Sequence, residues 1–109
     1  MNPSEKPFVL IARVKVKEDK VEEYLNLAEE TDHSVEQTEP DMLFHNFDAD
    51  PTDPTKFTWT ELYKNDAALI NHLNNPPVQE YIAKHLEIAE NLEVEIYGTL
   101  SEETNNFLT

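Results

Sequence analysis

Two alternating segments, "MLFHNFDA" (42–49) and "KFTWTELY" (56–63), flank the turn-rich "DPTDPT". No other feature narrows the possible folds as much. Alternation of apolar and polar residues is the pattern of a strand with one buried face. The repeated Asp-Pro has turn chemistry, because proline fixes φ and aspartate bonds the backbone just after it. The two strands are therefore expected to pair antiparallel, as a hairpin with a long loop. Phe57, Trp59, Glu61 and Tyr63 share one face of the second of them. A carboxylate on an aromatic face must find a donor or water, since burying it unpaired is costly.

The flanking segments fit around this hairpin. "FVLIARVKV" (8–16) opens apolar and then alternates, with Ala12, Val14 and Val16 on one side and Ile11, Arg13 and Lys15 on the other. Asp19 followed by Glu22 has the form of a helix cap with its partner. Val21, Tyr24, Leu25, Ala28 and Val35 then recur at helical spacing, which predicts a helix over about 19–38, stopped by Pro40. Asn65 or Asp66 caps a short helix, 67–74, and "NNPP" breaks it. Pro76 and Pro77 suit the start of a further helix, whose stripe reads Val78, Tyr81, Ile82, His85, Leu86 and Ala89. "LEVEIYGTL" (92–100) alternates as a fourth strand, and "SEETNNFLT" (101–109) reads as a polar tail, loose or draped on a partner.

The order strand, helix, strand, strand, helix, strand predicts an α+β, ferredoxin-like domain with a four-stranded antiparallel sheet and helices on one face. A chain of 109 residues is read as one domain over 1–109, with its core at about 7–100. Phe8, Val9, Leu10 and Ile11 make the first strand apolar on both sides at its start. The sheet face without helices therefore needs a cover, and a homodimer with two sheets face to face supplies one.

Charge and composition remove several function classes. The net charge is −15, with 23 acidic residues against 8 basic ones, so a cationic footprint for nucleic acid or an anionic membrane surface is not expected. Gly98 is the sole glycine, which rules out a glycine-rich phosphate loop. There are no cysteines, so disulfides and thiolate ligands are absent, in keeping with a cytoplasmic protein. No apolar run of membrane-spanning length occurs, and "MNPSEKPFVLIARV" lacks the layout of a signal peptide. Neither His-x-x-His nor His-x-x-x-His is present, and no metal site is expected.

Residues 39–81, "EPDMLFHNFDADPTDPTKFTWTELYKNDAALINHLNNPPVQEY", resemble the antibiotic biosynthesis monooxygenase family. The matching features are Glu39-Pro40, the Asp53-Pro54 turn, Glu61 to Tyr63, Asp66 to Leu69, His72-Leu73 and Pro76, and "VKEDKVEEYLNLAEE" looks like the family's first helix. The resemblance implies a dimeric α+β barrel with a pocket between sheet and helices in each subunit. It also implies one of several activities: cofactor-free oxygenation of electron-rich aromatic or quinol substrates, isomerisation of phosphorylated sugars, or haem degradation. Tyr63 stands where the family has tryptophan, Asp41 where it has glycine, and Pro77 where it has histidine. The haem-degrading branch has asparagine at the position of Ala12 and tryptophan at that of His72, and its iron-binding histidine aligns near His85 but not on it. No cofactor, haem included, is expected.

The expected function is cofactor-independent monooxygenation of a small electron-rich aromatic or quinol substrate. The alternatives are an isomerase or lyase of a small phosphorylated metabolite, or a non-catalytic dimeric ligand-binding module. His72 lies just off the Leu69-Leu73 stripe and is the candidate base, histidine being the side chain that exchanges protons near neutral pH. Its other reading is a helix-end residue bonded to the backbone. Tyr63 is the second candidate catalytic residue. Asn46, Trp59, Glu61 and His85 are candidate substrate-binding residues; for the aromatic strand face and for His85 the alternative is core packing. His45 and Asn46 point to opposite sides of their strand, and one of them should reach the pocket. Arg13 is read as an ion pair with Glu93 or Glu95, or as an anchor for an anionic substrate group.

Overall fold

The computed structural model describes residues 6–102, 104 and 106. Strand β1 (Phe8–Val16) leads through a short 3-10 turn (Glu18–Lys20) into helix α1 (Val21–Thr38). Strands β2 (Met42–Ala49) and β3 (Lys56–Tyr63) form the expected hairpin. Helices α2 (Asp66–Asn74) and α3 (Pro76–Ile88) and strand β4 (Ala89–Tyr97) complete the chain. The sheet order is β2-β3-β1-β4, with every pairing antiparallel. This is the ferredoxin-like arrangement, with the helices on one face.

Local chemistry explains most of the boundaries. The Asn65 side chain caps α2 by accepting from the Ala68 N–H at 3.0 Å. Asn75 ends α2 and begins α3, and Pro76 fills the first helical position, where a missing N–H costs nothing. Asp19 does not cap α1: it lies inside the 3-10 turn, and Lys20 precedes the helix without a side-chain capping bond.

Three further expectations are corrected. Leu27, not Leu25, joins Tyr24, Ala28, Thr31 and Val35 on the buried face of α1, and Leu25 is exposed. On α3 the inward residues are Val78, His85 and Ile88 with Tyr81, whereas Leu86 faces outward and Ile82 sits partly exposed at the edge. Strand β4 starts at Ala89 instead of residue 92, directly off the end of α3, because Ala89 pairs with Val16 across a register shift in β1. The strand ends at Tyr97, before Gly98. At φ +139 Gly98 takes a conformation that side chains disfavour, and a Cβ there would lie 2.6 Å from that of Phe8. The chain thus folds back toward α2. There the Ser101 N–H and the Thr104 hydroxyl donate to Asp66 Oδ2 at 2.8 and 2.9 Å, and Thr104 is buried. This part of the tail is docked on its own domain; residues 103, 105 and 107–109 lie outside the described residues.

The core divides in two. One cluster centres on Phe8, Leu10, Met42, Tyr63 and Leu69, the other on Val14, Tyr24, Phe57, Trp59 and Ile88. Ala12 touches both. Its small side chain leaves a space over the middle of β1, and the candidate site occupies that space.

Candidate active site

A cavity of about 390 Å³ lies between the sheet and the helices. Leu10, Ala12 and Val14 of β1 form its floor, with Trp59 and Glu61 of β3 and His45 of β2 beside them. Thr31, Asp32 and Val35 of α1, Leu69, His72 and Leu73 of α2, and Val78, Tyr81 and Ile82 of α3 close it above. Leu92, Val94 and Ile96 of β4 complete the wall. Leu92, Val94 and Ile82 remain 47%, 53% and 41% exposed, so the cavity opens at this edge, where the helices do not reach over β4.

The polar groups are few and paired. His72 comes from the last turn of α2, and Glu39 is the residue that ends α1. His72 Nδ1 lies 2.9 and 3.0 Å from the two oxygens of Glu39, and the Asn75 amide donates to Glu39 Oε2 at 2.8 Å. A carboxylate at a helix C-terminus opposes the helix dipole, and these two donors offset that. With Nδ1 turned to Glu39, Nε2 is the nitrogen free to exchange a proton; it lies 3.9 Å from Glu61 Oε2. On the other side Glu61 Oε1 accepts from the Tyr63 hydroxyl at 2.9 Å. The chain Glu39, His72, Glu61, Tyr63 thus alternates carboxyl, imidazole, carboxyl and phenol. A second pair, His45 Nδ1 with Asp32 Oδ1 at 2.6 Å, also lines the cavity.

Burial pushes the Glu61 carboxyl above the usual carboxylate range, against the opposing pull of His72 and the Tyr63 hydroxyl. Burial, with the Glu61 charge, holds the Tyr63 phenol well above its ordinary range. Because the folded value of Glu61 is raised, the folded protein keeps a proton that the unfolded chain releases. The stability this carries is fully present below the unfolded value, about pH 4, and is lost as pH rises through the folded one. Glu61→Gln removes the effect. Thermal melts from about pH 4 to pH 8 should therefore show the native protein losing more of its melting temperature than the variant. Parallel curves would mean that Glu61 titrates normally.

The structure distributes the residues expected from the sequence as follows. His72, Glu61 and Trp59 line one cavity. Tyr63 does not line it; fully buried and stacked on Phe8, it reaches the site through Glu61. On β2 it is His45 that faces inward, while Asn46 is exposed on the far face and bonds Asp48. His85 packs against Tyr24 and Tyr81, outside the cavity lining. Burial lowers its pKa, and its Nδ1 is buried with no hydrogen-bond partner among the described residues. A histidine turned away in this manner does not fit as an axial ligand for a haem in the cavity. Arg13 pairs with Glu95 at 2.6 Å on the helix-free face of the sheet. Sequence reasoning did not single out Glu39, Asp32 or Asn75 as site residues. For Glu39 a signal existed, since it opens the Glu-Pro of the family motif. Among the described residues no group of three or more potential ligands could hold a metal ion.

Comparison with known proteins agrees with this fold. The family model described as antibiotic biosynthesis monooxygenase matches residues 7–84. The chain belongs to the antibiotic biosynthesis monooxygenase family. An uncharacterized protein of Synechocystis sp. is 31% identical over 99 residues, covering 90% of this chain and 67% of that one. A Nitrosomonas europaea structure that carries the family's name superposes with a TM-score of 0.80 at 21% identity, over 94% of this chain and 98% of that chain. A conserved protein of Methanosarcina mazei Go1 gives a TM-score of 0.79 at 21% identity, over 89% and 96%. At these identities the two structures speak to the fold alone. The matched segment carries Glu39, Glu61, Tyr63, His72 and Tyr81, so the whole polar chain of the cavity falls within the family domain.

Proposed function

We propose that this family member is a cofactor-independent monooxygenase of a small electron-rich aromatic or quinol substrate. The observation that carries the reading is the Glu39–His72 pair at an otherwise largely apolar cavity, with Nε2 on the free side. In the reaction, His72 Nε2 takes the phenolic proton and Glu39 holds the imidazolium that forms. The electron-rich anion passes one electron to O₂. The resulting radicals combine at a ring carbon as a hydroperoxide, and loss of water leaves a carbonyl. For a ring methylene the balance is R₂CH₂ + O₂ → R₂CO + H₂O, closed by substrate and O₂ alone. Trp59 and the apolar lining hold the ring, and Tyr63 positions Glu61.

Among the described residues no lysine or arginine lines the cavity. A phosphorylated metabolite would find no cation there, which disfavours the isomerase reading. Oxygen uptake measured over a panel of quinols and anthrones tests the proposal. Consumption of one O₂ per substrate is the expected result, and absence of uptake across the panel, with binding retained, favours a non-catalytic ligand-binding module.

The proposal includes a cytoplasmic homodimer. Among the described residues no helix is long and apolar enough to cross a membrane. On the helix-free face of the sheet, Phe44 and Tyr97 are 52% and 57% exposed, beside Val9, Ile11 and Leu62. Sedimentation should give about twice the chain mass at micromolar concentration. A monomer there would leave this apolar area open to water and remove the face-to-face arrangement.

A further inference from the structure

His72 is not the only imidazole held by a carboxylate at the cavity. His45 Nδ1 lies 2.6 Å from Asp32 Oδ1, and both side chains line the cavity. They also line an open groove between α1 and β2, with Leu25, Ala28, Asn46 and Phe47. The pair therefore forms the wall between cavity and solvent at the β2 edge of the sheet, opposite the apolar mouth at β4. A carboxylate only accepts, so the Nδ1 facing it carries the hydrogen, and the lone pair of the neutral ring sits on Nε2. His45 is thus a base of the same build as His72, and the proton transfer from the phenol does not use it.

The two histidines stand on either side of one residue. His72 Nε2 is 3.9 Å from Glu61 Oε2. His45 is opposite Glu61 in the β2–β3 ladder, which puts their Cβ atoms about 5 Å apart. Burial raises the pKa of Glu61, and positive charge on His72 or, more weakly, on His45 pulls it back. A ring lying against Trp59 and Glu61 can therefore meet one imidazole at its hydroxyl and the other at a different edge. The second half of the proposed oxygenation needs this. The proton that must leave the hydroperoxide is on a ring carbon, not on the oxygen that faces His72. Glu39 holds His72 in place, so it does not follow the reaction across the ring.

We propose that His45 is a second catalytic residue, positioned by Asp32, and that it converts a secondary benzylic hydroperoxide to the ketone. The step is R₂CH–OOH → R₂C=O + H₂O. His45 Nε2 takes the C–H proton, the C–H electron pair becomes the carbonyl π bond, and the O–O bond breaks. The departing hydroxide takes the proton from the imidazolium and leaves as water. The carbon is oxidised by two electrons and the peroxide reduced by two, so the step closes without a further reactant. The substrate class is a ring hydroperoxide with a hydrogen on the carbon that bears it. The inference rests on the proposed function for the origin of that hydroperoxide, but the step can be started from a hydroperoxide supplied ready-made.

The probe 1-tetralyl hydroperoxide has no phenol for His72 to deprotonate, so it isolates the step. Under argon, with a chelator present, the native protein should form 1-tetralone about 10²–10⁴-fold faster than buffer, the range of one positioned base. The alcohol 1-tetralol should not accompany it, because that product marks homolysis of the O–O bond. Deuterium on the hydroperoxide carbon should slow ketone formation, since that C–H bond breaks. His45→Gln should remove most of the acceleration. Asp32→Asn should lower kcat with KM near native, and Asp32→Glu should recover part of it, a pattern that loss of packing does not give; these variants carry the test if His45→Gln does not fold. With an anthrone and O₂ the two histidines should separate. His72→Gln should lower O₂ uptake more than it lowers ketone formation from the hydroperoxide, and His45→Gln should do the reverse, with hydroperoxide accumulating. Absence of O₂ uptake beside intact ketone formation would remove the proposed function and leave this step standing. A native rate no greater than that of buffer, equal rates in native and His45→Gln, or tetralol formed with the ketone would overturn it.

Discussion

His72→Ala should lower turnover by about 10²–10⁴-fold, the usual contribution of a positioned general base. The loss should fall on kcat more than on KM, because the ring is held by Trp59 and the apolar lining. The variant should also lose some stability. From the sequence His72 lies merely off an apolar stripe, but in the fold it donates to a Glu39 side chain that is only 8% exposed. Removing it leaves that carboxylate with the Asn75 amide and one fewer partner, a cost of about 1–3 kcal/mol. Glu39→Gln provides the control: the base is kept while its orienting charge is lost, so turnover should fall by less than in His72→Ala. Oxygen uptake and a thermal melt on the same samples check both points. Unchanged turnover beside a melting temperature lowered by several degrees would make His72 a structural residue at a helix end.

A second large effect is expected from Tyr24→Ala. Tyr24 is the hub of one half of the core, with its ring against Phe47, Phe57, Tyr81 and His85 and its hydroxyl bonded to Trp59 and Tyr81. Truncating a fully buried aromatic residue costs about 3–5 kcal/mol, from lost burial and the cavity left behind. Against a total of about 5–15 kcal/mol for an ordinary domain, this is enough to leave the variant marginal. Urea unfolding at one fixed protein concentration should show a lower midpoint with an unchanged slope. Tyr24→Phe keeps the ring and should cost only about 1 kcal/mol. A Tyr24→Ala midpoint close to that of the native protein would show that α1 is anchored elsewhere.

The residues fixed some parts of this protein before any fold was known. Strands β1, β2 and β3 run where their alternation ends, because a period of two is interrupted sharply by the Asp-Pro turns and by the charged turn after Val16. Asn65 caps α2 because capping is a contact between residues three apart. The grouping of Phe57, Trp59, Glu61 and Tyr63 on one face follows from the pleat alone, and all four are buried. The family was also legible, since its motif residues are spread along one contiguous stretch.

Other parts were decided only by packing. The six-residue stripe on α3 was too wide for one helix face to bury, and the sheet beneath it kept Val78, Tyr81, His85 and Ile88, with Ile82 at the exposed rim of the cavity and Leu86 outside. Alternation gave β2 two faces without saying which was inner. Pairing of His45 with Glu61 across the β2–β3 ladder settled that in favour of His45 and against Asn46. Glu39 and His72 are 33 residues apart, on the ends of different helices. Their contact, like the Trp59–Tyr24–Tyr81 cluster, depends on how α1, α2 and α3 lie across the sheet. Local patterns set the period and limits of each element, because they act between near neighbours. The polar contacts of the site act between residues distant in sequence, so only the tertiary packing could bring them together.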